Sequence, residues 1–482
     1  MKKCITWSLI FLMFSFLLNG QNEKHRLVIL ADMGNEPDEE QQMVHMLMCS
    51  NEFEIEGLIA VTGIWLKSHP QPELFFKLID GYETVYPNLN IHAKGWPESD
   101  YLRKITKSGQ PGYGIANVGE GKSSPGSRLL ESILMKKDPR PVWIVINAGS
   151  NTLAQALLDL EKNVNKEQLQ NIISKMRVFE NGAQDNSGAW ICHRFPTLHW
   201  IRSNYQTYAY GGPRKNLGPN VWYPFDSSAQ GQHLWAKQHI QNNHGELGSL
   251  YPDRYFNDLG FIAIEGGGTI PWMGLLNKGL FHIDQPAWGG WSGRFTREKQ
   301  LNPWSKYYNR VRPDELKYSP FYMYVDTLDT WTDANTGVTY SNNYTPVWRW
   351  REAMFNDFRS RMDWCVKTYT GANHHPVAVV GNDNTNQIIR INADAGDELV
   401  FNAAHSYDPD GDSLSFYWYP YHEAGTYKGA IKLGNPRDAE TTLIIPAASR
   451  GKSIHIILEV TDDNVQSKLY DYRRIIITVT SS

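Results

Sequence analysis

The 482-residue sequence predicts an α/β domain with a mostly parallel sheet covered by helices, followed by a small all-β sandwich. Three observations predict this. Short apolar runs alternate with helically spaced segments from Arg26 to Asn151, several of the runs end in acidic or amide-rich turns, and beyond Gly371 short alternating strands separated by turn residues take over. Continuous apolar strands joined through helices are buried on both faces, as in a parallel sheet. In such sheets ligands bind beyond the carboxyl ends of the strands, so the βα turns carry the functional interest.

Each element follows from its residues. Met1, Lys2 and Lys3 form a basic start, residues 5–18 are apolar, and Gly20 offers a small residue for cleavage. Residues 1–20 therefore read as an export signal rather than a membrane span, which predicts a secreted or periplasmic protein. No cysteine follows the apolar run, so no lipid anchor is expected. Residues 26–31 form the first strand and 40–50 a helix with Met43, Met46 and Leu47 on one side. Residues 56–62 form a second strand, 73–86 an amphipathic helix, and 141–147 a third strand opening into a helix at Thr152. Residues 175–180 and 260–265 are further strand candidates, each ending in a carboxylate, and 347–370 reads as one closing helix. The long Gly-, Pro- and aromatic-rich segments before Asn343 suit a cap over a site. The α/β domain is thus expected over 21–373. The sandwich is expected over 374–482, with immunoglobulin-like strands at 398–402, 414–419, 442–445, 454–460 and 474–479.

Composition narrows the function. A net charge of −4 without long single-sign runs points away from nucleic acid and anionic membrane surfaces. Cys4 leaves with the signal, and Cys49, Cys192 and Cys365 are too sparse for a disulfide framework, leaving one bridge open. Seventeen Trp and 25 Tyr, concentrated between Trp190 and Trp364, offer either sugar-stacking faces or core packing. No zinc spacing, Gly-x-Ser-x-Gly elbow, phosphate loop or dinucleotide fingerprint stands in the required strand-to-helix context.

The chemistry concentrates in Ala31-Asp32-Met33-Gly34-Asn35-Glu36-Pro37-Asp38-Glu39-Glu40. Five carboxylates and an amide lie within nine residues, between a strand and a helix. The helix N-terminus contributes only about half a positive charge, too little to neutralise several acids. A bound calcium ion would, through several oxygen ligands. The bland alternative is a solvated helix start capped by Asp38. Asp32 weighs against that alternative, because it ends the strand and enters the crevice.

This turn, the later Asn147-Ala148-Gly149-Ser150-Asn151-Thr152 turn, and the run Ser50-Asn51-Glu52-Phe53-Glu54-Ile55-Glu56-Gly57-Leu58-Ile59-Ala60 resemble the nucleoside-hydrolase-like domain of secreted "cellulose-binding" proteins. Those proteins also carry a C-terminal β-sandwich. Nucleoside hydrolases begin with an Asp followed by an Asp-Asp pair that chelates calcium. The resemblance implies that Asp32 is a calcium ligand and general base, that Asp38 binds sugar hydroxyls and the cation, and that Glu39 is a calcium ligand. Asn147, Asn151 and Thr152 would complete the substrate rim with amide and hydroxyl oxygens, beside Asn35, Glu36 and Glu265. The family closes its calcium shell with a late His-Asp pair. No His-Asp dipeptide occurs here, and Glu265 is the acid nearest that place. Glu265 or Asp357 converging on Asp32 and Glu39 would favour an enzyme, whereas an apolar corner would favour binding alone.

Other segments carry two readings each. Phe179 to Trp190 places Asp185 and Trp190 at the pocket wall or in an ordinary polar turn. The Trp288-Gly289-Gly290-Trp291 run makes Trp291 a stacking platform or a structural turn. Arg349 and Asp357 suit buried ion pairs, and His374-His375 a linker. Asp408-Pro409-Asp410-Gly411-Asp412, with Asp462-Asp463 nearby, is a calcium turn or a solvated one. The expected function is a secreted hydrolase-like protein acting on a glycosidic bond of a carbohydrate or small glycoside with calcium-assisted water activation. The alternative is a non-catalytic carbohydrate-binding protein on the same scaffold.

Overall fold

The computed structural model describes residues 23–211, 233–256, 261–264, 266–277, 279–300, 314–334 and 336–481. The export-signal segment and Glu265 lie outside these residues. Strands β1 (His25–Ala31), β2 (Phe53–Ala60), β3 (Thr106–Ser108), β4 (Val142–Ile146), β5 (Met176–Asn181) and β6 (His199–Ser203) are parallel neighbours in the order β3-β2-β1-β4-β5-β6. A short hairpin, β7 (Arg254–Phe256) and β8 (Phe261–Ala263), stands apart from this sheet. Of the strand expected at 260–265, Phe261–Ala263 forms and belongs to this two-stranded sheet rather than to the large one, while 260 and 265 lie outside the described residues. Its expected place in the large sheet is taken by β10 (Phe321–Asp326), parallel to β6, with β9 (Phe295–Gln300) antiparallel at the edge.

The strand pattern splits the core in two. Leu27, Ile29 and Ala31 of β1 face one layer with helices α1 (Asp38–Met48) and α2 (Pro72–His92), while Val28 and Leu30 face the other. Successive strand residues point to opposite faces, so a doubly covered sheet needs uniformly apolar strands. Around it come α3 (Ser99–Ile105), α4 (Pro125–Leu134), α5 (Asn151–Asn163), α6 (Lys166–Lys175) and α7 (Ser187–Arg194). Helix α2 continues past Pro87, where the sequence pattern suggested a stop at Tyr86. Leu89 and His92 beyond it are buried, and Asn88 Nδ2 donates to the Trp364 and Lys367 carbonyls at 2.8 Å each. Tertiary packing thereby offsets the backbone bond that Pro87 cannot make. The predicted single closing helix is two pieces, Thr345–Trp348 and Arg351–Asp363.

After the hairpin β11 (Asp329–Thr332) and β12 (Thr339–Asn342), the C-terminal part forms two facing sheets. One holds β13 (Ile389–Ala393), β18 (Tyr470–Val479), β17 (Ser453–Asp462) and β15 (Leu414–Pro420), and the other β14 (Glu398–Asn402) and β16 (Glu440–Ile444). They enclose a core around Trp418, Phe401 and Ile456. The sandwich is welded to the α/β domain. Arg474, fully buried, donates to the Leu280 carbonyl at 2.8 Å and the Gly289 carbonyl at 3.0 Å, and Tyr421 Oη donates to Asp329 at 2.6 Å. His374 and His375 are not a loose linker: His374 bonds Asp410, and His375 Nε2 bonds Asp357 at 2.7 Å. In the Asp408–Asp412 turn, Asp408 Oδ1 accepts from the Asp410 and Asp412 amides and Asp410 from His374, while Asp408 Oδ2 has no hydrogen-bond partner. No helix among the described residues is long and apolar enough to cross a membrane. Cys49, Cys192 and Cys365 are all buried free thiols.

Candidate functional site

The strand order reverses at β1, with β2 on one side and β4 on the other, so the crevice opens where Asp32 and Asn147 leave adjacent strands. The register pairs Leu30 with Ile146, and the Asn147 amide then donates to the Leu30 carbonyl at 2.9 Å, which holds the two strand ends level. Gly34 takes a left-handed φ of +85° directly after Asp32 and Met33, and a Cβ there would strike Gln71 and Leu74. A glycine is required for this turn into α1.

Asp32 and Glu39 are each only 3% exposed. Burial raises both carboxyls well above their usual range, and neighbouring acids, Asp38 foremost, push them further the same way. Asn147 Nδ2 donates to Glu39 at 3.2 Å and to the Gly268 carbonyl at 3.2 Å. Asp32 Oδ2 and Asn147 Oδ1 are buried without a hydrogen-bond partner. Such orphaned oxygens are costly unless a water, ligand or cation completes their bonding. Gly63 abuts the Asp32 carboxylate and Gln184 Oε1 so closely that a Cβ would collide with both. Gln184 bridges the wall, accepting from the Ile64 amide at 3.1 Å and donating to the Asn147 carbonyl at 2.7 Å.

The neighbouring turns extend this polar floor. Asn151 Nδ2 donates to Gly112 O at 2.7 Å and to Thr62 Oγ1 at 3.3 Å, leaving Oδ1 unpartnered. Asp185 is fully buried; its Oδ1 caps the Ser187 amide at 2.8 Å, and its Oδ2 abuts Gly149 without a hydrogen-bond partner. Burial raises its pKa to about 6. The structure therefore brings Asp32, Glu39, Asn147, Asn151 and Asp185 to one end of the sheet. Asp38, Asn35 and Glu36 are half-buried in the same turn, and Glu36 pairs with Arg254 at 2.5 Å.

Two predicted ligand-facing rings are elsewhere. Trp190 sits on α7 against the opposite core layer, under the Arg194 guanidinium at 5.6 Å. Trp291 is 3% exposed and packs edge-on to Tyr472 at the junction with the sandwich. The large apolar area of each ring is worth more in a core than in water. Asp357 pairs with Arg361 and His375 rather than with Asp32. The Gly266–Thr269 corner, by contrast, is polar: Gly268 O accepts from Asn147, and Thr269 Oγ1 is buried without a hydrogen-bond partner.

Sequence reasoning missed Gln184, Thr62 and Trp65. Trp65 is 43% exposed in the turn after β2, where Gly63 N donates to Leu66 O at 2.8 Å. The strand-end rule applied to β2 as well as β1 would have flagged it.

Against this geometry, residues 26–295 match a protein family described as cellulose-binding Sde182, nucleoside hydrolase-like domain. Residues 398–479 match the family described as cellulose-binding protein Sde0182, C-terminal domain. A solved nucleoside hydrolase-related hypothetical protein from Saccharophagus degradans, described as associated with carbohydrate metabolism, is 36% identical with a TM-score of 0.80, covering 95% of this chain and 100% of that one. The type III effector XopQ complexed with adenosine diphosphate ribose gives 10% identity and a TM-score of 0.27 over 48% of this chain and 64% of that one, too distant to carry an argument. No curated protein matches.

Proposed function

The chain belongs to the cellulose-binding family with a nucleoside hydrolase-like domain, and from that premise we propose that it is a secreted, calcium-assisted hydrolase of a glycosidic bond in a carbohydrate or small glycoside. One observation carries the reading: two buried carboxylates stand at the switch point, Glu39 accepting from Asn147 Nδ2 and Asp32 Oδ2 without a hydrogen-bond partner, and the charges that act most on them are other acids. An all-oxygen donor set of this kind fits a hard cation. Asp32, Asp38, Glu39 and the side-chain Oδ1 of Asn147 would hold it. Calcium bound there would supply positive charge that lowers the pKa of a water molecule.

The chain's own groups do the rest. Asp32 Oδ2 accepts the proton of the attacking water as general base. Asn151 and Asp185 bind sugar hydroxyls, which orients the anomeric carbon as the oxocarbenium-like state develops. Trp65, exposed beside Gly63, presents a ring face to the sugar. Release of hydrolysed sugar from a panel of glycans and nucleosides, with calcium or with chelator, tests the proposal. Turnover that needs calcium supports it, and sugar binding without turnover on any member sinks it. A non-catalytic carbohydrate-binding protein is the second reading, favoured by the displacement of Asp357 into an ion pair away from the crevice.

Two predictions arise here. Trp65→Ala should weaken carbohydrate binding by about 1–2 kcal/mol, roughly tenfold, with thermal stability unchanged, as read by calorimetry. The pH dependence has a fixed sign. Asp32 and Glu39 have folded values raised above the unfolded carboxylate range, so the calcium-free fold holds extra protons. Their contribution to its stability is fully present below about pH 4, the unfolded value, and is lost as pH rises through the raised folded values. Calcium competes with those protons, so its stabilising effect should grow with pH. Melting curves with and without calcium from about pH 4 to about pH 8 check this.

A further inference from the structure

Three buried side chains outside the crevice converge between α1 and the closing helix Arg351–Asp363. His45 and Cys49 stand four residues apart at the end of α1, so they share one side of it, and Asp357 faces them. One candidate ligand atom from each lies within 4.8 Å of the other two. His45 and Cys49 are 0% exposed and Asp357 1%.

The hydrogen bonds leave this cluster unfinished in a particular way. His45 Nδ1 bonds the Tyr210 hydroxyl at 2.9 Å, and its ring stacks on Phe358 at 3.8 Å, which fixes its plane. Asp357 Oδ1 accepts from Arg361 Nε at 2.8 Å and His375 Nε2 at 2.7 Å. Its Oδ2 and His45 Nε2 both lack a hydrogen-bond partner, and they stand 4.0 Å apart, beyond hydrogen-bond reach. In His45 and Asp357 the outer atom is anchored while the inward atom has no hydrogen-bond partner, the arrangement that outer-shell partners impose on metal ligands.

We propose that His45, Cys49 and Asp357 form a three-residue zinc site that ties α1 to the closing helix, its fourth position left to a non-protein ligand such as water. An imidazole nitrogen, a thiolate and a carboxylate oxygen are a zinc donor set, unlike the oxygen-only crevice around Asp32. On binding, the Cys49 S–H bond gives way to a sulfur–zinc bond and the proton leaves to solvent. Charge supports the arrangement: the Cys49 thiolate, Asp357 and Glu52, which is 3.5 Å from Arg361, balance the dication and the Arg361 guanidinium. The site is independent of the crevice chemistry.

The test is metal analysis of the full chain purified without chelator. About one zinc per chain is expected, falling at least tenfold in Cys49→Ala and His45→Gln and unchanged in Asp32→Asn. Cobalt exchanged into the wild-type protein should give a thiolate-to-cobalt charge-transfer band, a readout that does not depend on the variants folding. Wild-type protein that holds no zinc, or exchanged cobalt without the thiolate band, overturns the site. Zinc retained in both variants overturns it equally.

Discussion

Asp32→Asn is expected to abolish calcium-dependent turnover and, in the same protein, to stabilise the calcium-free fold. The two effects have one cause. Asp32 is 3% exposed, its Oδ2 has no hydrogen-bond partner, and burial together with Asp38 raises its pKa. A carboxylate held this way is an expense in the empty fold and an asset only with a cation and a substrate water. The amide keeps the shape but can neither take up the proton nor balance calcium, so the rate should fall by roughly 10²–10⁴-fold. Removing the strained acid should raise calcium-free stability by about 1–3 kcal/mol, read as an increase in Tm at neutral pH. A variant with lower calcium-free stability would mean that Asp32 serves the fold rather than the site.

Arg202→Met is expected to be the most destabilising single change, by about 3–5 kcal/mol. Arg202 is 1% exposed and lies between Glu180, at 2.7 Å, and Glu315, at 2.8 Å. Glu180 also accepts from Trp200 Nε1 at 3.0 Å and Ser150 Oγ at 3.1 Å, so the strand-end acid is consumed by structure rather than aimed at a ligand. Without the guanidinium, two buried carboxylates face each other. Burial raises the Glu315 carboxyl to about 7 even with Arg202 lowering it. The deficit should therefore shrink as pH falls and the acids take up protons. Urea titrations should show a large drop in midpoint for Arg202→Met, partly restored by adding Glu180→Gln and Glu315→Gln. An unchanged midpoint would contradict the ion-pair account.

The legible parts of the chain were those whose physics is local. Strands β1, β2 and β4 are buried on both faces and so read as unbroken apolar runs, and their carboxyl ends located Asp32 and Asn147. The alternation in β14, β15 and β17 gave the sandwich. Strand β6 escaped notice because Arg202, a charge neutralised by Glu180 and Glu315 from elsewhere in the chain, interrupts its apolar pattern. Phe261–Ala263 reads as a buried strand yet pairs with Arg254–Phe256, since strand partners are a tertiary matter. Trp190 and Trp291 illustrate the same limit: a ring's residue type does not say whether it faces a sugar or Tyr472. Asp357 was foreseen in an ion pair, but its neighbours His45 and Cys49 are more than 300 residues away in sequence.

The most direct test of the switch-point site is calorimetric titration of the full, metal-depleted chain with calcium at neutral pH, beside Asp32→Asn, Glu39→Gln and Asp357→Asn. The account predicts about one calcium per chain, binding lost in Asp32→Asn and Glu39→Gln and kept in Asp357→Asn. Wild-type protein that binds no calcium, or binding that survives loss of both Asp32 and Glu39, would contradict it.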